Sequence, residues 1–179
     1  GENDYGSIRG FVTEYNRKFS NDLDLGFQAG MMNEENSFLG TNTQGAFALE
    51  GDTPTWFYNI SGSKPITDTI NLFGSANYGI SFPNASQESL FQDITEIESL
   101  SFSFGLAKKS LFSGNDNFEF VVSQPLRIQG GNANFILPTG RDNSGNIFQS
   151  SYSLNLSPSG REINYGLFYS YDVDDVSNL

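Results

Sequence analysis

The chain holds 179 residues with a net charge of −12, 17% charged and 15% aromatic residues, and neither cysteine nor histidine. It therefore cannot form disulfides or thiolate metal sites, lacks the main zinc ligands, and cannot assemble Ser-His-Asp or Cys-His nucleophiles. Nine scattered basic residues in so acidic a chain are the wrong electrostatics for a phosphate backbone, and no apolar run is long enough for a transmembrane helix.

The opening GENDYG carries no cationic and apolar leader pattern and reads as the start of a piece cut from a longer protein. Residues 22–31 then alternate: Leu23, Leu25, Phe27, Ala29 and Met31 share one side, Asp22, Asp24, Gly26, Gln28 and Gly30 the other. A period of two is the mark of a strand whose faces meet different surroundings. Residues 70–82 repeat it, with Ile70, Leu72, Ala76, Tyr78 and Ile80 against Asn71, Ser75, Asn77 and Ser81. The stretch 83–98 is the one helical candidate, with Ser86 as cap and Leu90, Ile94 and Ile97 on one face; a long structured loop is the alternative there.

Alternation resumes at 100–107, with Leu100, Phe102, Phe104 and Leu106 against Ser101, Ser103, Gly105 and Ala107. At 118–128 Phe118, Phe120, Val122, Leu126 and Ile128 oppose Glu119, Ser123 and Arg127, while Pro125, unable to donate to a ladder, marks an edge, bulge or break. On the polar face Arg127 has Glu119 or Glu162 as ion-pair candidates, or points to solvent. Residues 148–157 set Phe148, Tyr152, Leu154 and Leu156 against Gln149, Ser151, Ser153 and Asn155. Residues 160–173 set Ile163, Tyr165, Leu167, Tyr169 and Tyr171 against Glu162, Asn164, Gly166, Ser170 and Asp172, with Phe168 the exception. Turn residues separate these runs at 19–22, 50–53, 113–116, 130–131, 139–146 and 157–160, with Gly160 suited to a positive-φ position. The rhythm predicts one all-β domain over 1–179, about ten antiparallel strands in a meander.

What the oily face meets decides the function. Soluble sandwiches alternate too, but their outer face is usually rich in Lys, Glu and Arg. Here the second face is Ser, Asn, Gly, Gln and Thr, which suits a confined, wet interior. Apolar-out, polar-in strands with aromatic residues near their ends describe an outer-membrane barrel. Tyr5, Tyr15, Trp56, Tyr58, Tyr78, Phe82, Phe112, Phe148, Tyr169 and Tyr171 are the candidate girdle.

GMMNEENSFLGTNTQGAFAL (30–49) with TPTWFYNISGSKPI, then FEFVVSQPLRIQGGNANFILP (118–138) and SYSLNLSPSGREINYGLFYSY (151–171), resemble in order the C-terminal β-domains of bacterial subtilisin-like serine proteases of autotransporter type. The pairing of SQPLR with PSGRE is the specific part. The resemblance implies that the protease is an upstream passenger, outside this chain, and that the β-domain anchors or exports it. The final DVDDVSNL departs from the terminal aromatic strand of such domains, which implies that one or more closing strands are missing or that the domain is not inserted.

Carboxylate pairs at Glu34–Glu35, Glu96–Glu98 and Asp172–Asp174–Asp175 have no cleft to fix them as a glycosidase pair and read as solvated loop charges. DNSGN (142–146) and DVDD (172–175) carry oxygen ligands suited to Ca²⁺, yet neither fits the twelve-residue calcium loop; a hairpin loop and an acidic tail account for them. Asn59-Ile-Ser61 and Asn84-Ala-Ser86 match glycosylation acceptors, a frequent chance pattern. No residue is assigned a catalytic, cofactor-binding or metal role, and no cofactor or enzymatic activity is expected. The expected function is an outer-membrane anchor or translocator at a Gram-negative cell surface. Its expected partners are outer-membrane lipid and a covalently linked passenger protease, with no nucleic acid. The alternative is a soluble, extracellular β-module for accessory, adhesion or self-assembly roles, associating through strand edges.

Overall fold

A computed structural model of the chain describes residues 7–20, 22–35, 37–38, 41–42, 45–49, 51–86 and 89–172. Its strands are Ile8–Lys18 (β1), Asp24–Glu35 (β2), Ser37–Phe38 (β3), Thr41–Asn42 (β4), Asp52–Thr67 (β5), Ile70–Ser81 (β6), Phe91–Ile94 (β7), Ile97–Lys109 (β8), Asp116–Gly130 (β9), Asn132–Arg141 (β10), Ile147–Asn155 (β11) and Asn164–Tyr171 (β12). Seven form one antiparallel meander in the order β1-β2-β5-β6-β8-β9-β12, three form a second sheet, β11-β10-β7, and β3 with β4 makes a short ribbon. The fold is thus all-β, with ten antiparallel strands in two sheets. Among the described residues there is no α-helix, only a 3-10 turn at Gly45–Phe47, and no helix is long and apolar enough to cross a membrane.

The two ends of the large sheet differ. At one end the links are tight: 19–23, 68–69 and 110–115. Asp22 and Ser110 take positive φ there, Thr67 Oγ1 accepts the Ile70 N–H at 3.1 Å, and the Asp116 carboxylate accepts the N–H groups of Leu111, Phe112 and Ser113 at 2.6, 2.8 and 2.9 Å. At the other end the links are long, 36–51, 82–96 and 131–163, and they pack on one another. Leu49 bridges to Ala85, Leu90 N–H donates to the Ala46 carbonyl, Ile136 N–H to Leu90, and the Phe91 and Phe135 rings lie 4.8 Å apart. The apolar core proper sits here: Leu49, Ile97 and Ala133 are all buried.

Gly131, at φ +127°, lets the chain leave the large sheet after β9 and start the β10–β11 hairpin; a Cβ there would meet the Glu96 carbonyl at 3.2 Å. The expected helix or loop at 83–98 instead contains β7 and the start of β8. Its apolar residues serve pairing: Phe91 and Ile94 bond to β10, and Ile97 is buried in β8. Gly160 is not in the left-handed region, and a Cβ on it would meet open space, so the positive φ expected there is absent. The sheet is not closed. Among the described residues β1 and β12 each pair on one side only.

Candidate functional site: the two faces of the large sheet

Register fixes which side chains share a face. Tyr15 opposes Phe27, Phe27 opposes Ile60, Ile60 opposes Ala76 and Ala76 opposes Phe102. Two residues toward the tight turns, Leu25, Gly62, Gly74, Phe104, Val122 and Tyr165 follow one another in the same way. The next row is Leu72, Leu106, Phe120 and Leu167. One face of all seven strands is therefore apolar, and it is open: Ile60 is 58% exposed, Phe104 59%, Leu167 70%. Leu72, Phe104, Phe120 and Leu167 on this face are all exposed.

The opposite face is small and polar. Asn16, Gly26, Ser61, Ser75, Ser103, Ser123 and Asn164 are successive partners from β1 to β12, a row of serine, asparagine and glycine crossing the whole sheet. One row toward the long links, Gln28 donates to Glu14 at 3.1 Å, Asn59 to Asn77 at 2.7 Å and Asn77 to Ser101 at 3.1 Å. Nearer that end Thr55 and Ser81 share a buried hydroxyl hydrogen bond at 2.7 Å. Phe73 covers Gly105, Phe57 covers Gly30, and Phe168, the residue that broke the alternation, covers Gly166; each ring lies where a Cβ on the glycine would need to be. A groove of about 540 Å³ runs along this face between Asn16, Ser61, Ser75 and Ser103.

Of the edge, bulge or break expected at Pro125 the structure has a bulge, and it swaps the faces of the residues beyond it. Gln124 opposes Phe102 and Arg127 opposes Leu100, so β9 spends one residue more than β8 between these pairs. Arg127 thus falls on the apolar side and Ile128, opposite Ser99, on the polar side, the reverse of the simple alternation. Arg127 pairs with neither Glu119 nor Glu162. It donates to the carbonyls of Gly160, at 3.0 Å, and Pro158, and to Gln129, so the SQPLR and PSGRE segments are held together. Gln124 beneath them is 2% exposed; its amide donates to the Leu100 carbonyl, and its Oε1 has no partner among the described residues.

Of the expected girdle, Tyr15, Trp56, Tyr58, Tyr78, Tyr169 and Tyr171 lie on the apolar face, and the Phe112 ring in the 110–115 turn meets Tyr169 edge-on at 6.0 Å. Phe148 is on β11, in the other sheet; Tyr5, Asp174 and Asp175 lie outside the described residues. Glu34 is buried, Glu35 accepts from Ser7 at 2.8 Å, and Glu96 and Glu98 flank the start of β8. Asp142 accepts the side-chain amide of Asn146 at 2.8 Å and the N–H groups of Asn146 and Ser144, so DNSGN closes on itself as a hairpin loop. No group of three acidic side chains gathers among the described residues. Asn59 faces the polar row inside β5, away from any loop. Comparison with family models, curated proteins and solved structures finds no match.

Proposed function

We propose that this chain is an outer-membrane anchor or translocator β-domain for an N-terminal, subtilisin-like protease passenger at a Gram-negative cell surface. The observation that carries the membrane part is the exposure of one continuous apolar face across seven strands, backed by a row of serine and asparagine. Water would meet that apolar face at a cost of about 25 cal/mol per Å², whereas acyl chains meet it at none. The passenger part rests on the family resemblance of SQPLR and PSGRE.

Two further features support insertion. Short links at one sheet end and long, mutually packed links at the other match the periplasmic turns and outer loops of membrane barrels. On β8 the outward residues between Glu98 and Lys108 are Leu100, Phe102, Phe104 and Leu106. That charge-to-charge distance is roughly 34 Å along the strand, or about 26 Å along the membrane normal at the usual barrel tilt, close to the height of a barrel's apolar band. On this reading the polar face lines a hydrated interior. The edges β1 and β12 must then be joined, because unpaired backbone groups are not tolerated in hydrocarbon.

Extraction and gel mobility test the reading. The domain is expected to need detergent or bilayer for a monodisperse state and to change its mobility on heating. A monodisperse, folded domain in plain buffer overturns insertion and leaves the soluble module in its place.

A further inference from the structure

The tight-turn end of the large sheet gathers basic residues in a chain of net charge −12. Arg17, Lys18, Lys64, Lys108 and Lys109, five of the nine basic residues, lie there. Lys18 is paired with Asp22 at 3.9 Å on the exposed surface. By register Arg17, Lys64 and Lys108 belong to the apolar side, opposite Leu25, Leu72 and Ile70; Arg17 lies over the Phe19 ring and Lys108 Nζ donates to Thr69 Oγ1 at the β5–β6 tip. Of the described acids of this margin, Asp22 pairs with Lys18, Asp24 and Glu119 share the polar face, Asp116 accepts three N–H groups, and Asp68 and Asp172 lie at turns, at the β5–β6 tip and beside Asn115.

The three cations are not in one row. From β1 to β5 and again from β5 to β8, each step of two strands advances one row of two residues toward the turns. That is about 6.7 Å along the strands for roughly 9.6 Å across them, an inclination of about 35°. Strands in membrane barrels tilt by about 35–45°, and a barrel tilted in the matching sense sets the three cations on a line parallel to the membrane plane. Beside Lys64 opens an apolar groove of about 370 Å³, where Gly62 faces Gly74 and leaves a gap between Leu25, Ile60, Leu72 and Phe104. Among the described residues no carboxylate lines it.

We infer that this margin is a binding site for an anionic glycerophospholipid, with Lys64, flanked by Arg17 and Lys108, on the headgroup phosphate and one acyl chain in the Gly62–Gly74 groove. The inference rests on the membrane reading above and adds the lipid's chemical class and the leaflet end at which it sits. A cation near an anionic membrane surface strengthens binding by roughly fivefold.

The test offers the full chain, in neutral detergent, equal amounts of a phosphatidylglycerol and a phosphatidylcholine with the same acyl chains, and counts retained lipid by native mass spectrometry. The expected result is preferential retention of phosphatidylglycerol, undisturbed by added inorganic phosphate. Lys64→Gln is expected to lose about fivefold of that preference, and R17Q/K64Q/K108Q all of it. Gly62→Val, whose side chain enters the groove beside Leu25, is expected to lower retention of both lipids and keep the preference. Equal retention of the two lipids by the native chain, or an undiminished preference in the triple variant, overturns the site while leaving insertion standing. A native chain that is monodisperse without detergent and retains neither lipid overturns both.

Discussion

At the scale of single residues, the Thr55–Ser81 pair and Asp142 are set against defined partners, and each makes a quantitative expectation. Thr55 and Ser81 satisfy each other where neither reaches water. Thr55→Val removes one partner and strands the other, which is expected to cost about 1–3 kcal/mol in an unfolding titration; T55V/S81A removes both and is expected to recover most of that loss. Asp142 stands in the exposed loop between β10 and β11. The Asn146 side-chain amide, then the N–H groups of Asn146, Ser144 and Gly145, favour its anionic form and hold its carboxyl below the ordinary carboxylate range. A folded-state value depressed below the unfolded one means that the loop's stabilisation is complete above the ordinary range. It disappears as pH falls through the depressed value. A carboxyl-carbon NMR titration is expected to find Asp142 below the ordinary carboxylate range, and Asp142→Asn to remove the acid-induced loss of amide protection at Ser144 and Asn146. A midpoint in the ordinary range would contradict the closed loop.

At the scale of elements, strands hold through cross-strand complementarity, and the glycine–phenylalanine pairs show how. Phe73 on β6 occupies the space a side chain on Gly105 of β8 would need. Gly105→Ala is expected to destabilise by about 1–3 kcal/mol through overpacking. Adding Phe73→Ala should recover part of the loss, a coupling that independent sites would not show. This scale is also where the sequence is most and least informative. Alternation placed β2, β6, β8 and β12 and their two faces, because a period of two is set by the backbone of each strand alone. It misassigned Arg127 and Ile128, since the Pro125 bulge adds a residue and parity beyond it depends on where β8 resumes pairing. It also left 83–98 open between helix and loop. Spacing of Leu90, Ile94 and Ile97 by three and four is compatible with a helix, and only the distant β10 turns Phe91–Ile94 into a strand. β11 alternates as well as the others, yet joins a separate sheet because Gly131 diverts the chain; nothing local to 148–157 carries that information. The serine row is half legible: alternation puts its members on the polar face strand by strand, but their alignment is a property of register.

At the scale of the whole molecule, the faces of the large sheet make opposite demands on solvent, and adjacent residues can separate the two. Six antiparallel steps lead from β1 to β12, so these edges run in the same direction. An odd number of further strands between them keeps every neighbour antiparallel, and their backbone groups would satisfy both edges. In such a closed wall Phe104 faces hydrocarbon near mid-height and Ser103, its immediate neighbour, faces the wet interior among Ser75 and Ser123. An arginine on the lipid side near the midplane costs about 2–4 kcal/mol, whereas one facing water inside costs little. Phe104→Arg is therefore expected to lower the folded, vesicle-inserted fraction by 2–4 kcal/mol (about thirty- to a thousandfold in the equilibrium). Ser103→Arg is expected to insert nearly as well as the native chain. A soluble module reverses the order, because arginine on an open apolar face improves its contact with water, while Ser103→Arg disturbs the ordered polar rows. Finding that F104R folds as well as the native chain, with S103R the impaired one, would place the apolar face in water and remove the ground for a membrane anchor.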